Sequence, residues 1–120
     1  MAKSHFFLFL FHMLLSACAG GHLKFANGWE IMNNTWCMVK PSTSEVVLSN
    51  NIDYACNMLG DCKMIQPGGS CYDPNNLFNH ASAVMNQYYA INGRNPWNCD
   101  FVGSGIIVTS DPSYGSCQYA

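Results

Sequence analysis

The chain has 120 residues, 10% of them charged and 49% hydrophobic, with a formal charge of −2 at pH 7. That length holds one domain, and so few cations leave no basic stripe for nucleic acid or anionic lipid. Scarce charge beside plentiful Asn and aromatic residues suits a neutral partner better than a charged one.

The chain opens with Lys3 as a positive n-region, then an apolar run from Phe6 to Leu15 broken only by His12. Ala17-Cys18-Ala19 follows as a small-x-small cleavage pattern. The run is short for a membrane span and right for a secretory signal peptide, which is therefore placed at residues 1–19. An uncleaved anchor is one alternative. A bacterial lipoprotein box at Leu15-Ser16-Ala17-Cys18 is another. Residues 20–34 show no periodicity and are expected to form a flexible lead-in. The N-glycosylation sequon Asn33-Asn34-Thr35 lies at its end. No hydrophobic tail follows Cys117, so no lipid anchor is expected there.

Behind the leader stand Cys37, Cys56, Cys62, Cys71, Cys99 and Cys117. An even set in an exported chain reads as a disulfide framework rather than as metal ligands or redox thiols. Spacing suggests a pairing only for Cys56 with Cys62 and leaves the other connectivities open.

Trp36 to Val39 is short, apolar and β-prone, an edge strand tied down by Cys37 and ended by Pro41. Ser42, Thr43 or Ser44 then caps a helix that carries Glu45 in its first turn. Val47, Leu48, Ile52, Ala55 and Cys56 keep helical spacing, which predicts a first helix over about 44–58, stopped by Gly60. Gln66-Pro67-Gly68-Gly69-Ser70 is a turn. Asp73 or Asn75 is expected to cap a second helix of about 76–90, with Leu77, Ala81, Val84, Met85, Tyr88 and Tyr89 in phase. Asn92-Gly93 stops it, and the loop Arg94 to Asn98 leads to Cys99. Gly105 to Thr109 is the clearest strand, followed by the turn Asp111 to Gly115. Elements this short bury little apolar surface, and each disulfide adds about 2–4 kcal/mol.

A set of motifs runs in order through this framework: Ile52-Asp53-Tyr54-Ala55-Cys56, Asp61-Cys62, Ile65-Gln66-Pro67-Gly68-Gly69, Cys71-Tyr72 and His80-Ala81-Ser82. Met85-Asn86-Gln87-Tyr88-Tyr89, Cys99-Asp100-Phe101 and Asp111-Pro112-Ser113-Tyr114-Gly115-Ser116-Cys117 complete it. From Trp36 to Cys117 the chain thereby resembles carbohydrate-binding module family 43, the plant X-8 domain. Members end plant endo-1,3-beta-glucanases, form anchored callose-binding proteins of plasmodesmata, or stand alone as small secreted proteins, among them an olive-pollen allergen type. The chain looks like the stand-alone group, with its module at residues 35–120. The resemblance implies a small disulfide-rich α+β fold of two helices, a small antiparallel sheet and long coils held by three disulfides. It also implies the pairing Cys37 with Cys99, Cys56 with Cys62, and Cys71 with Cys117. Two departures stand out. Asn57 and Leu59-Gly60 replace glycine-rich positions at the end of helix one, and Val102-Gly103-Ser104-Gly105 replaces an Asn- or Gly-rich turn ending in Ala.

A glycosidase needs two carboxylates set about the scissile bond, roughly 5–10 Å apart, and the acids of this chain form no evident pair. Asp73 and Asp111, each beside a proline, read as Asx-type caps. Asp53 and Asp100, next to aromatics, are expected to bond backbone groups. His80 reads as structural, and with only His22 beside it after cleavage neither a metal site nor a histidine-driven nucleophile is expected. No cofactor is implied.

Sugar rings instead stack on aromatic side chains while amides, guanidinium and hydroxyl groups bond their hydroxyls. Trp97, Tyr89, Tyr114 and Tyr72 are the stacking candidates, and Tyr119 is a further aromatic. Tyr88 and Phe101 are assigned to the core. Asn86, Gln87, Arg94 and Asn95 are the polar candidates. The expected function is a secreted, monomeric, non-catalytic module that binds β-1,3-glucan, callose or laminarin-like, in the plant cell wall. The alternatives are a protein-partner or signalling role in the wall, or an auxiliary role for a separate glucanase.

Overall fold

The computed structural model describes residues 34–120. The expected signal peptide, nearly all of the lead-in and Asn33 lie outside the described residues. The order is β1 (Trp36–Val39), α1 (Glu45–Leu59), a 3₁₀ turn (Lys63–Ile65), α2 (Leu77–Ile91), a second 3₁₀ turn (Pro96–Cys99) and β2 (Gly105–Val108). The small disulfide-rich α+β class is thus present, with two helices and an antiparallel pair of strands.

Local chemistry sets the helix ends. Ser44 caps α1 by accepting the Val47 amide at 3.3 Å. Gly60 ends it in the left-handed region at φ 88°, where its amide reaches the Cys56 carbonyl. The cap of α2 is Asn76, not Asp73 or Asn75, because its Oδ1 accepts the Asn79 amide at 2.7 Å. Gly93, at φ 97°, turns the chain out of α2.

The strands pair with Trp36 opposite Val108 and Val39 opposite Gly105. The outer edge of β1 is closed by a helix rather than a strand. The Cys37 amide donates to Asn86 Oδ1 at 2.9 Å, and the Val39 amide donates to Ser82 Oγ at 3.1 Å. Asn86 and Ser82 are one helical turn apart, so a single face of α2 meets the alternate outward amides of the strand.

Three bridges form, Cys37–Cys99, Cys56–Cys62 and Cys71–Cys117. Each sits in its own apolar cluster. Cys37 and Cys99 pack with Val39, Leu48, Ala81, Met85 and Tyr89. Cys62 packs with Ala55 and Val84, and Cys71 and Cys117 pack with Ala83. Helix α2 feeds all three clusters, and from His80 to Asn86 every one of its residues is buried.

Candidate functional site

One cleft of about 400 Å³ opens where α1, α2 and the segment around Cys99 meet. Helix α1 contributes Asn50, Asn51 and Tyr54, α2 contributes Tyr88, and Trp97, Asn98, Asp100, Phe101 and Val102 complete the wall. The second 3₁₀ turn begins at Pro96, is closed by the Asn98 amide on the Asn95 carbonyl at 2.8 Å, and is pinned at Cys99 to β1. Trp97 therefore projects from a short, well-anchored turn, and 72% of its surface is exposed.

Behind it stand three rings in mutual edge-to-face contact. Tyr54 and Tyr88 lie 5.6 Å apart at 68°, Tyr88 and Phe101 5.6 Å apart at 74°, and Tyr54 and Phe101 6.2 Å apart at 87°. Tyr88 and Phe101 pack against Ala55 and Val84 on one side and line the cleft on the other, so their assignment to the core describes half of what they do. The hydroxyls of Tyr54 and Tyr88 are 3.4 Å apart. The hydrogen bond from Tyr54, burial and the Tyr54 charge raise the Tyr88 pKa, and the neighbouring Asn98 opposes them. Near neutral pH the Tyr88 hydroxyl is therefore an uncharged donor and acceptor, the form that suits a sugar hydroxyl. Asn98 Oδ1 is buried with no hydrogen-bond partner among the described residues, an unpaired acceptor in the side chain that forms part of this wall.

Of the ligand candidates named from sequence, only Trp97 reaches the cleft. Two are withdrawn. Tyr89 is 1% exposed, because it shares the face of α2 that carries Ala81 and Met85, and its hydroxyl bonds Thr35 Oγ1 at 2.6 Å. Asn86 is likewise buried, its acceptor spent on the Cys37 amide and its donor on the Ala120 carbonyl at 3.1 Å. Arg94 and Asn95 lie at the end of α2 on structural bonds, Arg94 Nη1 to the Thr35 carbonyl at 2.9 Å and Asn95 Nδ2 to the Asn92 carbonyl at 3.2 Å. Gln87 borders a different, shallow depression with Leu59, Asp61 and Met64.

Tyr72 and Tyr114 belong to a separate group near the Cys71–Cys117 bridge. Tyr72 stacks on His80 at 5.6 Å and accepts from Asn75 Nδ2 at 2.9 Å. The Tyr114 hydroxyl faces two acceptors, the Asp73 carbonyl at 2.9 Å and Asn79 Oδ1 at 2.7 Å. His80 is structural, its Nε2 lying 2.7 Å from the Tyr72 carbonyl. Tyr119 is half-buried, and burial together with the Tyr114 charge pushes its hydroxyl up to about 12.

The acids also sort themselves. Asp111 accepts the Ser113 amide at 2.9 Å, and the Ser113 side-chain and backbone hydrogen bonds hold its carboxyl below the ordinary range. Asp73 contributes its carbonyl rather than a side-chain cap. Asp53 and Asp100 are exposed, and their carboxylates take no backbone hydrogen bond among the described residues, contrary to expectation. No group of three or more potential metal ligands occurs among the described residues, and no described helix is long and apolar enough to cross a membrane.

Asn50, Asn51, Tyr54, Asn98 and Val102 are cleft residues that sequence reasoning did not name as ligand candidates. The available signal was the spacing of Asn50 and Tyr54, one turn apart on the outward side of α1, an amide followed by a ring.

The X8 domain family matches residues 35–106. The chain is 54% identical over 84 residues to a glucan endo-1,3-beta-glucosidase of Triticum aestivum, covering 70% of this chain and 18% of the wheat protein. It is 47% identical over 88 residues to the major pollen allergen Ole e 10 of Olea europaea, covering 72% of both proteins. It is 35% identical over 85 residues to plasmodesmata callose-binding protein 2 of Arabidopsis thaliana, covering 71% of this chain and 44% of that one. The chain thus spans under a fifth of the wheat glucosidase, and the residues 35–106 that match the family include both helices and every bridged cysteine but Cys117. This chain belongs to the X8 domain family.

Proposed function

We propose that the protein is a secreted, non-catalytic module that binds β-1,3-glucan, callose or laminarin-like, in the plant cell wall through the cleft of Trp97, Tyr54, Tyr88 and Phe101. The observation that carries this reading is Trp97 itself. A large ring, 72% exposed, is held on a disulfide-anchored turn beside half-buried rings and the amides of Asn50 and Asn98. No folding advantage keeps such a ring in water, and the apolar face of a glucose unit is its natural complement. The relatives support the polymer, since one is named a glucan endo-1,3-beta-glucosidase and another a callose-binding protein.

A binding role fits the cleft better than hydrolysis. Asp100 is the single carboxylate among its described lining residues, whereas a glycosidase sets two about the bond it breaks. An auxiliary role beside a separate glucanase is the second reading. It is favoured by the match to a short stretch of the much longer wheat enzyme.

Calorimetric titration of the oxidised module with laminarin-type oligosaccharides, with cellulose and xylan oligosaccharides as controls, tests the proposal. Saturable heat selective for the β-1,3 chain is expected. A folded, fully bridged protein that binds none of them overturns it.

A further inference from the structure

Beyond Asp100 the backbone passes through the left-handed region at three successive residues, Phe101 (φ 43°), Val102 (φ 55°) and Gly103 (φ 80°). That region is unfavourable for L-residues and most of all for β-branched ones. The turn is imposed from outside the two side chains. Ser104 donates to the Phe101 carbonyl twice, from its amide at 3.1 Å and from Oγ at 2.6 Å. The Gly105 amide donates to the Asp100 carbonyl at 3.1 Å, and Lys40 Nζ holds the Gly103 carbonyl at 2.7 Å. The backbone is thus fixed whatever residue stands at 102.

Phe101 offsets its strain by packing between Tyr54 and Tyr88. Val102 has no such return, because it is 98% exposed and its isopropyl group meets almost nothing in the domain. Folding alone favours Gly or Asn at this position. Val102 is nevertheless the only aliphatic residue among the described residues that line the cleft.

We propose that Val102 is a ligand-contact residue, an apolar knob that packs on the C–H face of a glucose unit of the bound chain. This deepens the glucan reading of the cleft and rests on it. The strain is then a feature retained for binding, concentrated where the domain gains nothing else from it.

The test pairs laminarin-oligosaccharide calorimetry with thermal unfolding for Val102→Gly, Val102→Asn and Val102→Ile. The Gly and Asn variants are expected to unfold at higher temperature and to bind roughly tenfold more weakly, the effect of losing a small buried apolar group. The Ile variant keeps wild-type affinity. A merely structural role would move stability and affinity together, so the opposed signs are diagnostic. Wild-type affinity in the Gly and Asn variants, with Trp97→Ala still weakened, overturns the role of Val102 and leaves the glucan reading standing. An absence of laminarin binding by the wild-type protein overturns both.

Discussion

Asn86 Oδ1 accepts the Cys37 backbone amide at 2.9 Å, across 49 residues of chain, while its Nδ2 donates to the Ala120 carbonyl at 3.1 Å. One buried side chain thereby joins the first strand, the central helix and the last residue. Replacing Asn86 with Leu strands a strand-edge donor and the terminal carbonyl, which costs about 2–3 kcal/mol of stability. Urea unfolding is the measurement, and glucan affinity per folded molecule is expected to stay at the wild-type value, since Asn86 is not in the cleft.

Trp97→Ala has the opposite profile. The ring is 72% exposed, so its removal leaves the unfolding midpoint nearly unchanged. Loss of the stacking surface lowers affinity for laminarin oligosaccharides by about 2 kcal/mol. Equal affinity in the variant would take Trp97 out of the site.

Tyr54 offers a finer test because it acts on Tyr88. Its hydroxyl is the leading cause of the raised Tyr88 pKa. Tyr54→Phe removes that hydrogen bond, and Tyr88 then ionises at lower pH, visible as phenolate absorbance developing earlier in an alkaline titration. Stacking survives in the Phe variant and is lost in Tyr54→Ala, which is expected to weaken glucan binding by about 1–2 kcal/mol.

Tyr119 makes stability depend on pH at the alkaline end. Its hydroxyl is pushed from an ordinary 10.0 up to about 12, chiefly by burial. The folded state therefore holds this proton more tightly than the unfolded chain does. The corresponding stability is complete below pH 10 and is lost as the pH rises through about 12. Tyr119→Phe is expected to flatten that part of the stability profile and to remove the phenolate signal that develops at the highest pH.

The fold was legible from sequence because its signals are local. Ser44 and Gly60 bound α1, and Asn92-Gly93 ends α2, through chemistry that each short segment carries by itself. The site was less legible, and the adjacent pair Tyr88 and Tyr89 shows why. Sequence reasoning placed Tyr88 in the core and Tyr89 among the ligand candidates, whereas the structure lines the cleft with Tyr88 and buries Tyr89. Helical phase separates inside from outside only when a helix has a wet face. From His80 to Asn86 α2 is surrounded, so its apolar pattern carries no direction. Tyr54 was missed for a related reason, since its role depends on Phe101, 47 positions away along the chain and brought beside it only by the fold.

The convergence of three disulfide-bearing clusters on α2 also governs how the domain meets proteases. A protease needs a stretch of backbone that can detach and extend, and here the strand, the loop before α2 and the C-terminal segment each carry a bridged cysteine that packs on the same buried rod. No described segment that carries a bridge can peel away without disturbing the helix that the others share. Such a domain opens as a whole or hardly at all. Limited proteolysis is therefore expected to leave the oxidised domain intact, and of the rings that line the cleft only Tyr88 belongs to that rod.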